Sequence, residues 1–257
     1  MKRWFEEDGR PKTALYAYDF DDKFNCSYQA NINNAHKIKQ WVDDILNETG
    51  AEKIDLVGHS MGGMSSRYYI KFLDGIDTVD DYVSLGSPHH GNPNYHCGRE
   101  GVKEIALILN VGDETPGGVL NDTLGIRFDP IWIEENITYN GAHILGNISY
   151  SSIYSPDDGL CPDTSSPLDG AHNISVPNVP HSFLTEDWSV YKHVRVAVND
   201  LKDIAFRTTP LTSTTMTTTD DTPLTLIPVL CTISVMALIV IRRRRLKTLA
   251  NIKSNHK

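Results

Sequence analysis

The stretch KIDLVGHSMGGMSSRYYIKFL, Lys53 to Leu73, decides the reading of this chain. Its first five residues, Lys53 to Val57, read as a short buried strand, and Met64 to Leu73 reads as a helix. Between them stands Gly58-His59-Ser60-Met61-Gly62-Gly63, a sharp reversal from strand to helix. Glycines on both sides of a serine suit such a turn, because side chains there would collide and the serine itself is forced into a strained conformation. A Gly-x-Ser-x-Gly pentapeptide alone arises by accident. Flanked by a strand and a helix it reads as a nucleophile elbow, with Ser60 Oγ raised above the strand tips. The Met61 backbone N–H, at a helix N-terminus, then faces the place where an oxyanion would develop.

Working outward, Thr13 to Phe20 (TALYAYDF) reads as an apolar, aromatic-rich strand, followed by a polar loop through Asn25 to Asn34. From Ala35 to Glu48 the apolar residues Ala35, Ile38, Trp41, Val42, Ile45 and Leu46 recur at helical spacing, and Gly50 stops the helix. After the elbow helix come three more expected strands: Tyr82 to Leu85, Ala142 to Tyr154, and His172 to Val176. A last helix spans Trp188 to Leu201. Strands alternating with helices predict an α/β domain, a mostly parallel sheet with helices on both faces. With the elbow, this is the pattern of the α/β-hydrolase fold. The stretch from Asn92 to Asn140, with an apolar run at Ile105 to Val111, is longer than a crossover needs, and two readings stay open: a lid, or a larger helical excursion.

The 257 residues suffice for one such domain, expected over 1–206, plus extra segments. A net charge of −9 with no basic stripe in the domain argues against nucleic acid as a partner. Residues 207–223 are Thr-rich and read as an extended stalk, and Leu224 to Ile241 runs without a charge, long enough to cross a bilayer as a helix. Arg242 to Arg245 follow at once and open a basic tail, 242–257, which predicts a single-pass anchor with the C-terminus in the cytoplasm and the domain outside. Sequons at Asn25, Asn47, Asn121, Asn136, Asn147 and Asn173 agree with an external glycoprotein. An oxidising exterior permits Cys97 to pair with Cys161, and free thiols are an equal alternative; Cys231 falls inside the expected anchor.

A serine hydroxyl needs a histidine base to attack an ester, and the histidine needs a carboxylate to fix its tautomer. In this fold the chain order is nucleophile, acid, base, so the base comes late: His172, His181 or His193. His172 starts a strand and His193 lies within the last helix, whereas His181 follows the last strand in a proline-bracketed loop and is the expected base. The acid should end the preceding strand, at Asp157 or Asp158, which position does not separate; Asp163 and Asp169 are more distant candidates. No cofactor and no metal are implied, although the acidic stretch Asp157 to Asp169 offers oxygen ligands.

Taken together, DLVGHSMGG followed by RYYIKFLDG, the strand end SLGSPHHG, SSIYSPDDGL, LDGAHNISV and VPHSFL resemble the small bacterial class-2 lipases. The resemblance runs over about Tyr16 to Leu201. It implies a minimal α/β-hydrolase that cleaves carboxylic esters, lipids among them, through Ser60, Asp158 and His181, with Met61 N–H as oxyanion donor. Acyl transfer or thioester hydrolysis would use the same triad. A catalytically dead surface-binding domain is the alternative from another class.

The resemblance also implies an apolar strand ending in His-Gly ahead of the first helix, whose loop supplies a second oxyanion N–H. Met1 to Gly9 (MKRWFEEDG) resembles the end of that helix, and no His-Gly pair precedes it. A gap is therefore expected between the Thr13–Phe20 strand and the elbow strand. Met1 to Arg10 also lacks the apolar stretch of a signal peptide, and the expectation is that the chain is the C-terminal part of a longer protein.

Overall fold

The computed structural model describes residues 1–21, 25–92, 99–110, 139–141, 144–198 and 236–241. The stalk 207–223, the first part of the expected anchor at 224–235, the tail 242–257, Cys97, Cys231 and the sequons Asn121 and Asn136 lie outside these residues. In chain order the elements are α1 (Lys2–Glu7), β1 (Leu15–Asp19), α2 (Tyr28–Thr49), β2 (Ile54–His59), α3 (Met61–Phe72), α4 (Gly75–Thr78) and β3 (Val79–Leu85). They continue with α5 (Arg99–Leu109), β4 (Tyr139–Gly141), β5 (Ile144–Leu145), β6 (Ser149–Tyr154), β7 (His172–Ser175), α6 (Trp188–Ala197) and β8 (Met236–Ile241).

The main sheet has the order β1-β8-β2-β3-β6-β7. Strands β2, β3, β6 and β7 pair in parallel, so their C-terminal ends share one edge. Side chains on β2 and β3 alternate between two cores, as period-2 geometry requires. Ile54, Leu56 and Tyr82 enter one core with Ile38, Val42 and Ile45 of α2 and Met64 and Ile70 of α3. Val57, Val83 and Leu85 enter the other with Phe5 of α1 and Val190, Tyr191 and Val194 of α6. Both faces are thus covered, as the alternation of strands and helices predicts.

Three expectations change. The helix expected from Ala35 starts at Tyr28, because Ser27 Oγ accepts the Ala30 N–H at 3.1 Å and caps it; what reads as polar loop is its first two turns. The strand expected over Ala142 to Tyr154 is broken at Gly146 (φ +68°), which separates the small β4–β5 pair from β6. Cys161 is a buried free thiol among the described residues, its pKa pushed up to about 12 by burial, and Cys97 lies outside them.

The third correction concerns the gap and the end of the expected anchor together. Met236–Ile241, expected at the end of a transmembrane helix, is instead strand β8, antiparallel to β1 on one side and to β2 on the other. The position where a missing strand was expected is filled. Buried backbone N–H and C=O groups on the facing edges of β1 and β2 need partners, and β8 supplies them. Among the described residues no helix is long and apolar enough to cross a membrane. Hydrogen–deuterium exchange of the full chain is expected to protect the amides of 237–240 to the same degree as those of β2; fast exchange there would remove β8 from the sheet.

Candidate active site

At the end of β2 the chain turns into α3 through Ser60, whose φ of +55° and ψ of −129° are unusual for a residue with a side chain. Such a conformation costs on the order of 1–3 kcal/mol and persists only where its surroundings enforce it. The enforcement is visible. A Cβ on Gly58 would lie 2.7 Å from Gly63 Cα and N and 2.8 Å from Gly62 C, and one on Gly63 would lie 2.1 Å from Ser87 Oγ. Strand and helix touch backbone to backbone, and Ser60 N is fixed by donation to Leu85 O of β3 at 2.9 Å. Met61 opens α3, so its N–H belongs to the first turn, which has no intrahelical acceptor. That leaves it available to an oxyanion.

The turn after β6 separates the two candidate acids that spacing left equal. Asp158 is buried, and its Oδ2 lies 2.7 Å and its Oδ1 2.9 Å from His181 Nδ1. Oδ1 also accepts the N–H groups of Leu160 at 3.0 Å and Cys161 at 2.6 Å. Asp157 is exposed and closes the loop instead, accepting the Asn178 N–H on Oδ2 at 2.7 Å. Asp163 and Asp169 are exposed.

His181 sits in a short 3-10 turn, His181–Phe183, after β7, and its own N–H donates to Asp158 O at 2.9 Å. Because a carboxylate only accepts, the proton of the neutral ring belongs on Nδ1, leaving Nε2 as a lone-pair base. Nε2 is buried with no hydrogen-bond partner among the described residues. His172 is exposed at the start of β7. His193 lies on α6, with a pKa lowered by burial and then by Lys192 and His172.

Ser60 and His181 meet through the atoms around them. Gly86, the residue after β3, lies where a Cβ would be 2.8 Å from Asp158 Oδ2 and 3.3 Å from His181 Nδ1, and its neighbour Leu85 holds Ser60 N. His59, beside Ser60, places Nε2 3.0 Å from His181 O. The structure therefore joins Asp158 to His181 directly and sets Ser60 nearby, without a Ser60 Oγ to Nε2 hydrogen bond; in serine hydrolases such bonds are commonly long before substrate arrives.

Sequence reasoning did not find the polar network behind the elbow helix. Arg67 of α3, buried, donates to Leu109 O at 3.2 Å and Asn110 Oδ1 at 3.1 Å, and lies 3.3 Å from His89 Nδ1. His89 Nε2 is 2.9 Å from Ser84 Oγ, which donates to Ser152 Oγ, and Ser152 Oγ donates to Ser166 O. Lys71 donates to Ile108 O and Leu109 O, and its pKa is pushed down to about 7 by burial, with the Arg67 charge adding. Two cations thus cap the C-terminal end of α5, where the helix dipole favours them. Arg67 and Lys71 stand four apart, a helix-face signal, but nothing in their spacing says which carbonyls they meet.

The sequence model of the lipase (class 2) family matches residues 1–102. Triacylglycerol lipases of Pseudarthrobacter phenanthrenivorans and Burkholderia plantarii are each 38% identical to this chain over 52 residues, 20% of it. The matched stretch spans only 16% and 14% of those two proteins. Among solved structures, a Listeria innocua gene product aligns with a TM-score of 0.43 at 16% identity, covering 66% of this chain and 67% of that one. The mature Bacillus licheniformis lipase BlEst2 gives 0.41 at 15% identity, covering 66% and 75%. Residues 1–102, which carry β1, the elbow at Ser60 and β3, are thus similar in sequence to the lipase (class 2) family.

Proposed function

We propose that this protein is a serine hydrolase that cleaves carboxylic esters, lipid esters among them. The observation that carries the reading is the Asp158 carboxylate on His181 Nδ1, which leaves Nε2 as a buried base, without a hydrogen-bond partner among the described residues, beside a strained Ser60. In the first half-reaction Ser60 Oγ attacks the ester carbonyl carbon while its proton passes to His181 Nε2. The carbonyl electron pair moves onto oxygen, toward the Met61 N–H. Collapse of that intermediate breaks the bond to the alcohol oxygen, which leaves with the proton from Nε2, and Ser60 is acylated. Water then repeats the sequence on the acyl-enzyme, giving the carboxylic acid and restoring the serine. Throughout, Asp158 stays ionised and supports the imidazolium.

The test is active-site labelling of the full chain with a fluorophosphonate, followed by hydrolysis of p-nitrophenyl esters of increasing acyl length. Modification of Ser60 that vanishes in His181→Ala is expected. An unlabelled, folded wild-type chain would reject the hydrolase reading and leave a binding domain on a hydrolase scaffold.

A further inference from the structure

The last residue of β2 is His59, 1% exposed, in a position between glycine and nucleophile where the chemistry of an elbow calls for no imidazole. Its Nε2 lies 3.0 Å from the carbonyl oxygen of His181, and the two rings pack with centroids 4.7 Å apart, tilted by 39°. A carbonyl only accepts, so His59 carries a proton on Nε2 and donates it. The same oxygen takes the Leu184 N–H at 3.3 Å, which closes the short turn holding the base.

The anchors of His181 do not all lead to the same place. Its Nδ1 and its backbone N–H both bind Asp158, on the turn after β6. Those bonds orient the ring and hold it to the acid. Among the described hydrogen bonds of His181, the one from His59 is the bond that reaches β2, the strand whose end carries Ser60. We infer that His59 is a positioning residue: it ties the backbone of the base to the strand end that bears the nucleophile, and so sets the separation of Ser60 Oγ and His181 Nε2. It touches neither the substrate nor the transferred proton. The inference rests on the reading of Ser60 and His181 as nucleophile and base.

The test uses two substitutions in the full chain that differ in one property. His59→Phe keeps an aromatic ring for packing but has no donor, whereas His59→Gln keeps an amide N–H near the position of Nε2. Hydrolysis of p-nitrophenyl butyrate is measured per folded molecule, beside the fluorophosphonate labelling rate and thermal melting. Misplacement of a reacting group by about 1 Å costs on the order of 10²-fold, so His59→Phe should lower kcat by about 10- to 100-fold with KM unchanged. His59→Gln should recover most of that loss. Equal kcat in His59→Phe and wild type, or equal losses in the Phe and Gln variants, overturns the positioning role. So does failure of both His59→Phe and His59→Leu to fold, which would make His59 a core residue. A wild-type chain that is not labelled at Ser60 overturns the parent reading and this inference with it, whereas a labelled wild type with an equally reactive His59→Phe overturns the inference alone.

Discussion

Asp158→Asn should lower kcat by about 10⁴-fold while leaving KM and the fold almost unchanged. The size follows from which atom of the side chain meets which neighbour. Oδ1 accepts two backbone N–H groups, from Leu160 and Cys161, and these donors hold any acceptor placed there. An asparagine satisfies them by keeping its carbonyl oxygen at that site, already shared by those two donors, which puts its NH₂ at the Oδ2 position, the nearer to His181 Nδ1 at 2.7 Å against 2.9 Å. Two donors then face each other, and the imidazole escapes by moving its proton from Nδ1 to Nε2. The base has lost the lone pair that Ser60 needs. Packing is nearly isosteric, so the defect is in protonation and not in position. Imidazole nitrogen shifts measured by NMR should report the tautomer change directly, alongside kcat from ester hydrolysis. Asp157→Asn is the matched control: Asp157 is exposed and bonds the Asn178 N–H rather than the base, so its kcat should stay near wild type. A loss under tenfold in Asp158→Asn, or an equal loss in Asp157→Asn, would dismiss the assignment.

The same pair of aspartates shows how far the sequence could be read. Pro-Asp-Asp-Gly announces a turn at a strand end, but neighbours in a turn point in different directions, and which one faces His181 depends on the loop from Val176 to Pro180 folding back over it. Resemblance to a family separated them; spacing did not. Ser60 was legible because its constraint is local, set by glycines within three residues of it. The start of α2 was not, since Tyr28 to Asn34 has a polar surface and its helical character comes from the Ser27 cap and from Ala30 and Asn31 being buried against the domain. His59, Arg67 and His89 were invisible as a group for a related reason: their partners are carbonyls and side chains brought together by β3, α5 and the turn after β7. Met236–Ile241 lies in a sheet rather than a helix, which the apolar run could not announce because hydrophobicity describes a membrane span and a sheet strand alike. What separates them is an unpaired edge elsewhere in the chain, and β1 and β2 supplied it.

Gly58→Ala should cost about 3 kcal/mol or more, at the upper end of what overpacking does, and should remove most of the activity as well. The added methyl would stand 2.7 Å from Gly63 Cα and N and 2.8 Å from Gly62 C. All three are backbone atoms, so no rotamer change relieves the contact; strand and helix must move apart. Gly58 sits on β2, paired through β3 on one side, and Gly63 is held by Tyr82 Oη donating to its carbonyl at 2.9 Å, so both elements resist. The displacement falls on Ser60, whose strained φ depends on that contact. For a domain of this size the stability loss corresponds to a drop in melting temperature of roughly 6–12 °C. Gly50→Ala separates this steric effect from backbone strain. Gly50, unlike Gly58, has positive φ, +65°, at the C-terminal end of α2, and its added methyl meets nothing within 4 Å among the described residues. It should therefore cost only the left-handed penalty of about 1–2 kcal/mol and leave ester hydrolysis intact. If Gly58→Ala melts and reacts like Gly50→Ala, the backbone contact between β2 and α3 does not hold Ser60 in place.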